Sequence, residues 1–162
     1  MRSEPTAGKK AGAAYVLNLF EQGEAERRIW LRDQIRAFND RMSSAHRDAH
    51  RPGQVRPLDL FFTSGDETIA GLTSDTYWDW WEILHLWVVE DRRNHGLGRR
   101  LMQAAEREAR RRGCRHAYLS TFSFQAPAFY ARLGFRVVGQ LDDFPPGNAY
   151  FRTRRPTERV SR

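Results

Sequence analysis

The spacing of hydrophobic positions changes several times along the chain, and each change predicts a different element. Over residues 24–42, apolar residues recur every three or four positions, which is typical of an amphipathic helix. The polar stretch 43–57 contains a Pro-Gly pair and is predicted to be a long loop. Two short apolar runs, 58–63 and 68–73, then flank a Ser-Gly-Asp-Glu segment. This arrangement predicts a β-hairpin.

The middle of the chain is richer in apolar residues than its beginning. A turn is predicted at 74–75, and the aromatic stretch 77–81 leads into the apolar run 83–89. That run is predicted to be a central strand buried on both faces. The amphipathic segment 97–112 predicts a helix that ends before Gly113. The remaining predicted elements are a strand at 116–121, a helix at 126–133, a strand at 135–139, a turn at 145–147 and a strand at 149–152.

The order of these elements indicates an α/β fold. One helix, three strands, a helix, a strand, a helix and two strands predict a central mixed β-sheet with helices on its faces. Because the strand–helix–strand unit over 83–121 is a crossover connection, its two strands are predicted to be parallel.

Length and composition favour one domain. The chain has 162 residues, and we expect a disordered lead-in at 1–13, a single domain at 14–153 and a frayed tail at 154–162. No apolar run reaches the length of about 20 residues that a membrane span needs. The N-terminus lacks the apolar core of a signal peptide, and Cys114 is the single cysteine. We therefore expect a cytoplasmic protein that has no contact with a membrane.

The turn before the second helix carries the most informative residues. Arg93, Gly96, Gly98 and Arg99 surround the predicted start of that helix. Glycines let the backbone approach a ligand, and the first helical amides have no partner within the helix. Such a turn can bind a pyrophosphate, although a Gly-x-Gly before a helix is often plain loop geometry.

Two segments together resemble known sequences. The first is Leu86-Trp87-Val88 followed by Arg93-x-x-Gly96-x-Gly98, and the second runs from Gln125 to Phe135. In this order they resemble the acetyl-CoA-binding segments of the GNAT superfamily of N-acetyltransferases. The resemblance covers about residues 58–152, and it implies a GNAT-like sheet in which two parallel strands splay apart.

The resemblance also implies where acetyl-CoA binds as cosubstrate. The pantetheine arm pairs with the central strand, the pyrophosphate lies on the turn, and the arm enters between the splayed strands. The implied cofactor-binding residues are Trp87, Val88, Val89, Arg93, Asn94, His95, Gly96, Leu97, Gly98, Arg99 and Gln125.

Three residues are candidates for the chemistry. Tyr130 occupies the position at which the family commonly has a tyrosine that protonates the departing thiolate, although it also fits a core aromatic. Glu82 and His85 are alternative proton acceptors for the amine. A regular strand places these two on opposite faces, whereas a bulge would reverse that. The histidines and the cysteine do not have the spacing of a metal site, so no metal is expected.

The acceptor is predicted from the charge of the chain and from the residues near the aromatic stretch. A formal net charge of +7 favours anionic partners in general, but Glu106 and Glu108 interrupt the arginines of the 97–112 helix, which argues against nucleic acid. We expect acetyl transfer to the primary amine of a small molecule. The alternatives are acetylation of a protein or peptide amine, acetylation of an aminoacyl-tRNA, and a non-catalytic acyl-CoA-binding role. Because a late strand is expected to be exposed, it could pair with a second copy of the chain in a homodimer. The aspartates at 75, 79, 142 and 143, with aromatics of 77–81, are candidates for attracting a cationic amine.

Overall fold

The computed structural model describes residues 3–5 and 15–157, and the chain divides into two compact units, Met1–Arg47 and Asp48–Arg162. Apart from residues 3–5, the predicted lead-in lies outside the described residues, as do residues 158–162 of the predicted tail. The domain boundaries proposed from the sequence remain a prediction.

The first unit contains a small hairpin and a long helix. Strands β1 (Ser3–Pro5) and β2 (Val16–Asn18) pair in antiparallel fashion. Helix α1 spans Ala25–Met42, as the hydrophobic spacing predicts, and no residue of it is buried. The predicted loop after α1 is wrong over Ser44–Ala49, which forms the short helix α2. The Ser43 hydroxyl accepts a hydrogen bond from the His46 amide at 3.2 Å at the start of that helix.

The second unit is built on a seven-stranded sheet. Its strands are β3 (Arg56–Pro57), β4 (Leu60–Ser64), β5 (Glu67–Tyr77), β6 (Trp80–Val88), β7 (His116–Phe122), β8 (Arg136–Asp142) and β9 (Ala149–Pro156). The order in the sheet is β3-β5-β6-β7-β9-β8, with β4 also paired to β5. Only the β6–β7 pair among these described strands is parallel, which confirms the predicted crossover and the mixed sheet.

Two helices and a short turn of 3₁₀ helix complete this unit. They are the 3₁₀ helix Glu90–Arg92, α3 (Leu97–Arg111) and α4 (Pro127–Arg132). The apolar stripe of α3 includes the buried residues Leu101 and Met102, which belong to the same core cluster as Leu72, Trp81 and Leu119 of the sheet. One face of the sheet therefore forms the core together with α3.

Three predicted features of the sheet are wrong. The turn expected at 74–75 does not occur, because β5 continues to Tyr77 and the chain reverses at Trp78, whose φ is 51°. The central strand is buried on one face only. The last strand runs to Pro156 and does not end at 152 as predicted, and the buried Thr157 hydroxyl donates to the Cys114 carbonyl at 2.6 Å.

No helix within the described ranges is both long enough and apolar enough to cross a membrane.

Candidate active site

The parallel strands β6 and β7 separate halfway along their length. Their pairing runs from Trp80 opposite His116 to Ile83 opposite Leu119 and stops there. Beyond this point β6 continues to Val88 and β7 to Phe122 without pairing to each other. The predicted splay is therefore present, and it leaves an open strand edge in the middle of a sheet.

A β-bulge at Leu84 begins the splay. Strand β5 places Thr73 opposite His85 and Ser74 opposite Ile83, so Leu84 has no residue opposite it. An extra residue shifts the alternation of side chains by one position. Glu82 and His85 consequently lie on the same face of the sheet, away from α3. This agrees with the prediction made for a bulged strand and not with that for a regular strand.

The open edge of β6 exposes backbone groups toward the gap. The Val89 amide donates to the Ile69 carbonyl of the β5 side at 3.0 Å. Because successive residues alternate in an antiparallel ladder, the backbone groups of Val88 point to the opposite edge. Arg93 Nε donates to the Val88 carbonyl there at 3.1 Å, and its guanidinium carbon lies 4.6 Å from the centre of the Trp87 ring.

The turn after β6 has the geometry of an anion-binding helix start. Asn94 and Gly96 have φ angles of 65° and 80°, and α3 begins directly afterwards. The Arg100 amide donates to the Gly96 carbonyl at 3.0 Å. The amides at 97–99 come before this first bond, so they have no acceptor within the helix. They face outward, with the positive end of the helix dipole behind them.

The other side chains of the turn have structural roles or are exposed. His95 Nδ1 donates to the Arg93 carbonyl at 2.8 Å, which closes the turn. A Cβ at Gly98 would lie 3.5 Å from the Phe129 ring of α4, so this glycine packs the helix start against α4. Arg99 is exposed at the first turn of α3.

Glu82 is held by two tyrosines from neighbouring strands. The Tyr77 hydroxyl donates to Glu82 Oε2 at 2.9 Å, and the Tyr77 and Tyr118 hydroxyls are hydrogen-bonded to each other. Burial, more than any other cause, raises the pKa of both tyrosines, and the nearby Glu82 charge raises them further. Tyr118 is not predicted from the sequence, because its position opposite Glu82 depends on a register between distant strands.

A second carboxylate lies beside Glu82. Asp75 is opposite Glu82 on β5, and its pKa is raised first by burial and then by the charges of Glu82 and Asp59. Within the part of the chain that the structure describes, neither Asp75 nor Glu82 has a basic side chain within 4.0 Å. By contrast, Asp79 lies 3.0 Å from Arg115.

The late-loop aspartates have partners of their own. Asp142 accepts from Gln140 Nε2 at 2.6 Å, and Asp143 accepts from the Gly147 amide at 2.7 Å. Of the four aspartates expected from the sequence, Asp75 is therefore the one that lies directly opposite Glu82.

His85 and Tyr130 occupy different surroundings. His85 is exposed, and its Nδ1 lies 2.8 Å from the Thr73 hydroxyl. Tyr130 packs on α4 against Phe129 and Phe135, and burial raises the pKa of its phenol. Among the described residues, its hydroxyl has no hydrogen-bond partner.

Gln125 has a structural role at the end of β7. Its Oε1 accepts from the Phe122 amide at 2.8 Å and from the Thr121 hydroxyl at 3.1 Å. These bonds fix the segment that leads into α4 and hence the helix that carries Tyr130.

Comparison with known proteins agrees with this arrangement. The sequence profile of the Acetyltransferase (GNAT) family matches residues 23–135. The blasticidin-S acetyltransferase of Streptomyces morookaense is 36% identical over 121 residues, which are 70% of this chain and 89% of that protein. An acetyltransferase of Agrobacterium fabrum is 31% identical over 137 residues, which are 83% of this chain and 93% of that protein.

A solved structure shows the same fold. The crystal structure of an acetyltransferase from Bacillus cereus superposes with a TM-score of 0.73 at 26% sequence identity, covering 86% of this chain and 97% of the other. The splayed strands, the turn before α3 and these similarities lead to one conclusion: the chain is an acetyl-CoA-dependent acetyltransferase and belongs to the GNAT family.

Proposed function

We propose that this enzyme transfers the acetyl group of acetyl-CoA to the primary amine of a small, cationic molecule. The observation that carries the proposal is the pair of carboxylates at 75 and 82, which lie opposite each other beside the splay without a basic partner within ion-pair distance. Uncompensated charge of this kind attracts a compact cation. The relative named blasticidin-S acetyltransferase supports a small-molecule acceptor.

The residues at the turn and strand edge fit acetyl-CoA. The outward amides at 97–99, with Arg93 and Arg99 nearby, suit a pyrophosphate. Asn94, His95 and Gly96 shape the turn, and the Val88 backbone, between Trp87 and Val89, lies on the open edge of β6 to which the amides of pantetheine can pair. Gln125 acts indirectly, by fixing the start of α4.

The chemistry divides between two side chains. An amine must be neutral to attack the thioester carbonyl, so its N–H proton passes to the Glu82 carboxylate, directly or through a water. The new amide bond forms as the carbon–sulfur bond breaks. The phenol of Tyr130 gives its proton to the thiolate, and the phenolate takes the second proton from the acetylated nitrogen. The burial that raises the pKa of Tyr130 keeps the phenol protonated and available as an acid. His85, on the same face as Glu82, is the alternative proton acceptor.

A thiol-release assay tests this proposal. Acetyl-CoA is incubated with a panel of small amines that includes blasticidin S and polyamines, alongside peptides and aminoacyl-tRNA. We expect turnover with a small amine, and we expect Tyr130→Phe to lower kcat about 100-fold while acetyl-CoA affinity stays within about twofold.

The other outcomes are equally informative. Turnover with peptides or aminoacyl-tRNA alone would contradict the small-molecule assignment. Binding of acetyl-CoA without transfer to any acceptor would favour a non-catalytic acyl-CoA-binding role. Glu82→Gln and His85→Gln, measured side by side, identify the proton acceptor, because only its loss should lower kcat by about 100-fold.

A further inference from the structure

Side chains from three adjacent strands meet beside the splay, on the face of the sheet away from α3. Tyr77 ends β5, Glu82 lies on β6, and Tyr118 on β7 is the register partner of Glu82. They occupy the last paired part of β6 and β7, next to the point at which the two strands separate. The carboxylate thus lies at the entrance to the gap.

The direction of the two hydrogen bonds follows from the chemistry of the groups. An ionised carboxylate can only accept, so the Tyr77 hydroxyl donates its proton to Glu82 Oε2. Because the Tyr77 proton is used in that bond, the Tyr77 oxygen can only accept a hydrogen bond from Tyr118. Tyr118 is therefore the donor of the bond between the two hydroxyls. The chain of donation therefore runs from Tyr118 through Tyr77 to Glu82.

The surroundings hold this chain in one arrangement. Burial raises the pKa of both phenols, so each remains a donor throughout the physiological range. The Tyr118 ring is flanked by Trp80, edge-on with centroids 5.8 Å apart, and by the Arg152 guanidinium carbon at 5.8 Å from the ring centre. Packing of this kind restricts the ring to one rotamer.

We propose that Tyr77 and Tyr118 are positioning residues that aim the Glu82 carboxylate at the acceptor amine. The inference rests on the proposed function, since it gives Glu82 the amine as its partner. Fixing one oxygen of a carboxylate also fixes the direction of the other, and so removes rotamer freedom that substrate binding would otherwise have to remove. Neither phenol needs to touch the reacting atoms for this effect.

A double-mutant cycle tests the proposal in the full-length enzyme. We expect Tyr77→Phe to lower kcat/KM for the amine about tenfold and Tyr118→Phe to lower it about threefold, with the Kd of acetyl-CoA within about twofold of wild type. In the Glu82→Gln background, Tyr77→Phe should change kcat/KM by less than about twofold, because the group that it positions is already lost.

Tyr150→Phe is the matched control. Tyr150 is a half-buried tyrosine of the same sheet, and its hydroxyl has no hydrogen-bond partner among the described residues. We expect its removal to leave kcat/KM within about twofold of wild type.

Three results would overturn the proposal, and they are distinguishable. An equal effect of Tyr77→Phe with and without Glu82 would show that the tyrosine acts independently of the carboxylate. If Tyr77→Phe weakened acetyl-CoA binding by the same factor as it lowered kcat/KM for the amine, the role of the tyrosine would be merely structural. A wild-type enzyme that acetylates no amine would overturn the proposed function and this inference with it, whereas an active wild type without coupling would overturn the inference alone.

Discussion

At the scale of single residues, the site depends on side chains that are unfavourable for folding. Asp75 lies across from Glu82 on the neighbouring strand, partly buried, and no basic group within 4.0 Å among the described residues offsets the pair. Like charges placed opposite each other destabilise a sheet. Groups of this kind are common where a protein binds a ligand, because the ligand supplies the compensating charge.

Removing the Asp75 charge should stabilise the protein and weaken acceptor binding. Because folding raises the pKa of Asp75, the folded state binds more protons than the unfolded state between the ordinary and the raised value. Stability is therefore lost as pH rises through that window, and the penalty is complete at neutral pH. Asp75→Asn should raise the Tm at pH 7, and this gain should vanish below the ordinary pKa of an aspartate.

The same variant should raise KM for a cationic amine roughly tenfold, with kcat nearly unchanged. Thermal unfolding over a pH series and steady-state kinetics measure the two effects. A Tm that falls at pH 7 would show that Asp75 is stabilised by its surroundings, and an unchanged KM would remove it from the acceptor site.

At the scale of elements, hydrophobic spacing predicted most of the fold. Helix α3, the hairpin and the parallel crossover follow from it, because each has a clear period and a matching turn or end signal, whereas none of the apolar residues of α1 is buried. Helix α2 has six residues, which is too short for a period to be recognised. The turn expected at 74–75 is absent because Ser74 can be buried within β5. Its hydroxyl donates a hydrogen bond to the Leu58 carbonyl at 2.5 Å.

The geometry of the candidate site could be predicted from the sequence only where the site is formed by a contiguous segment. The turn from Arg93 to Gly98 is a contiguous motif, and its residues lie together in the structure. The bulge at Leu84 was foreseen only as an alternative, since nothing in a strand's own sequence fixes a register shift against its neighbour. The Tyr118–Glu82 pairing is set by strands that are distant in sequence, and for the same reason it was not foreseen.

The start of α3 allows a test of the cofactor turn with a closely matched control. Gly96 and Gly113 bracket this helix with φ angles of 80° and 89°, and a Cβ at either one would meet no atom within 4 Å. Alanine at either position should cost about 1 kcal/mol of stability, because non-glycine residues disfavour this conformation.

Only the change at Gly96 should affect acetyl-CoA. We expect Gly96→Ala to weaken binding about tenfold, since the strained turn shifts the amides at 97–99, and Gly113→Ala to leave the affinity within about twofold. Calorimetry with acetyl-CoA and thermal unfolding of both variants measure this difference. Equal affinities in the two variants would argue against the turn as the pyrophosphate site.

At the scale of the whole molecule, a net charge of +7 is a poor guide to the partner. Several arginines of α3 and its end are paired with glutamates of the same helix: Arg110 with Glu106 at 2.6 Å, and Arg111 and Arg112 with Glu108 at 2.7 and 2.8 Å. Glu108 has its pKa lowered to about 2 by these hydrogen bonds, so it stays charged at working pH. A helix with this composition lacks the continuous positive surface that a nucleic-acid backbone requires.

Transfer RNA should therefore be a weak competitor of the small amine. At about 150 mM salt we expect a tRNA excess to lower the acetylation rate by less than about twofold, and any inhibition at low salt to disappear as screening increases. The rate of thiol release at two salt concentrations measures this. Inhibition that persists at high salt, or acetylated aminoacyl-tRNA as a product, would contradict the small-molecule assignment.

The extra residue at Leu84 has a consequence for how this strand can evolve. It interrupts the alternation of side chains along β6, so that Ile83 and His85 lie on opposite faces although they are two residues apart. A deletion of Leu84 would leave Ile83 opposite Ser74 and His85 opposite Thr73 in a regular strand, so each side chain would keep its face and only the bulge would be lost. Relatives that are one residue shorter here would therefore present the same side chains on this face, but without the bulge at the point where β6 and β7 separate. Chain length at this position, more than percentage identity, is the trait that should separate enzymes with a bulge at the splay from those without one.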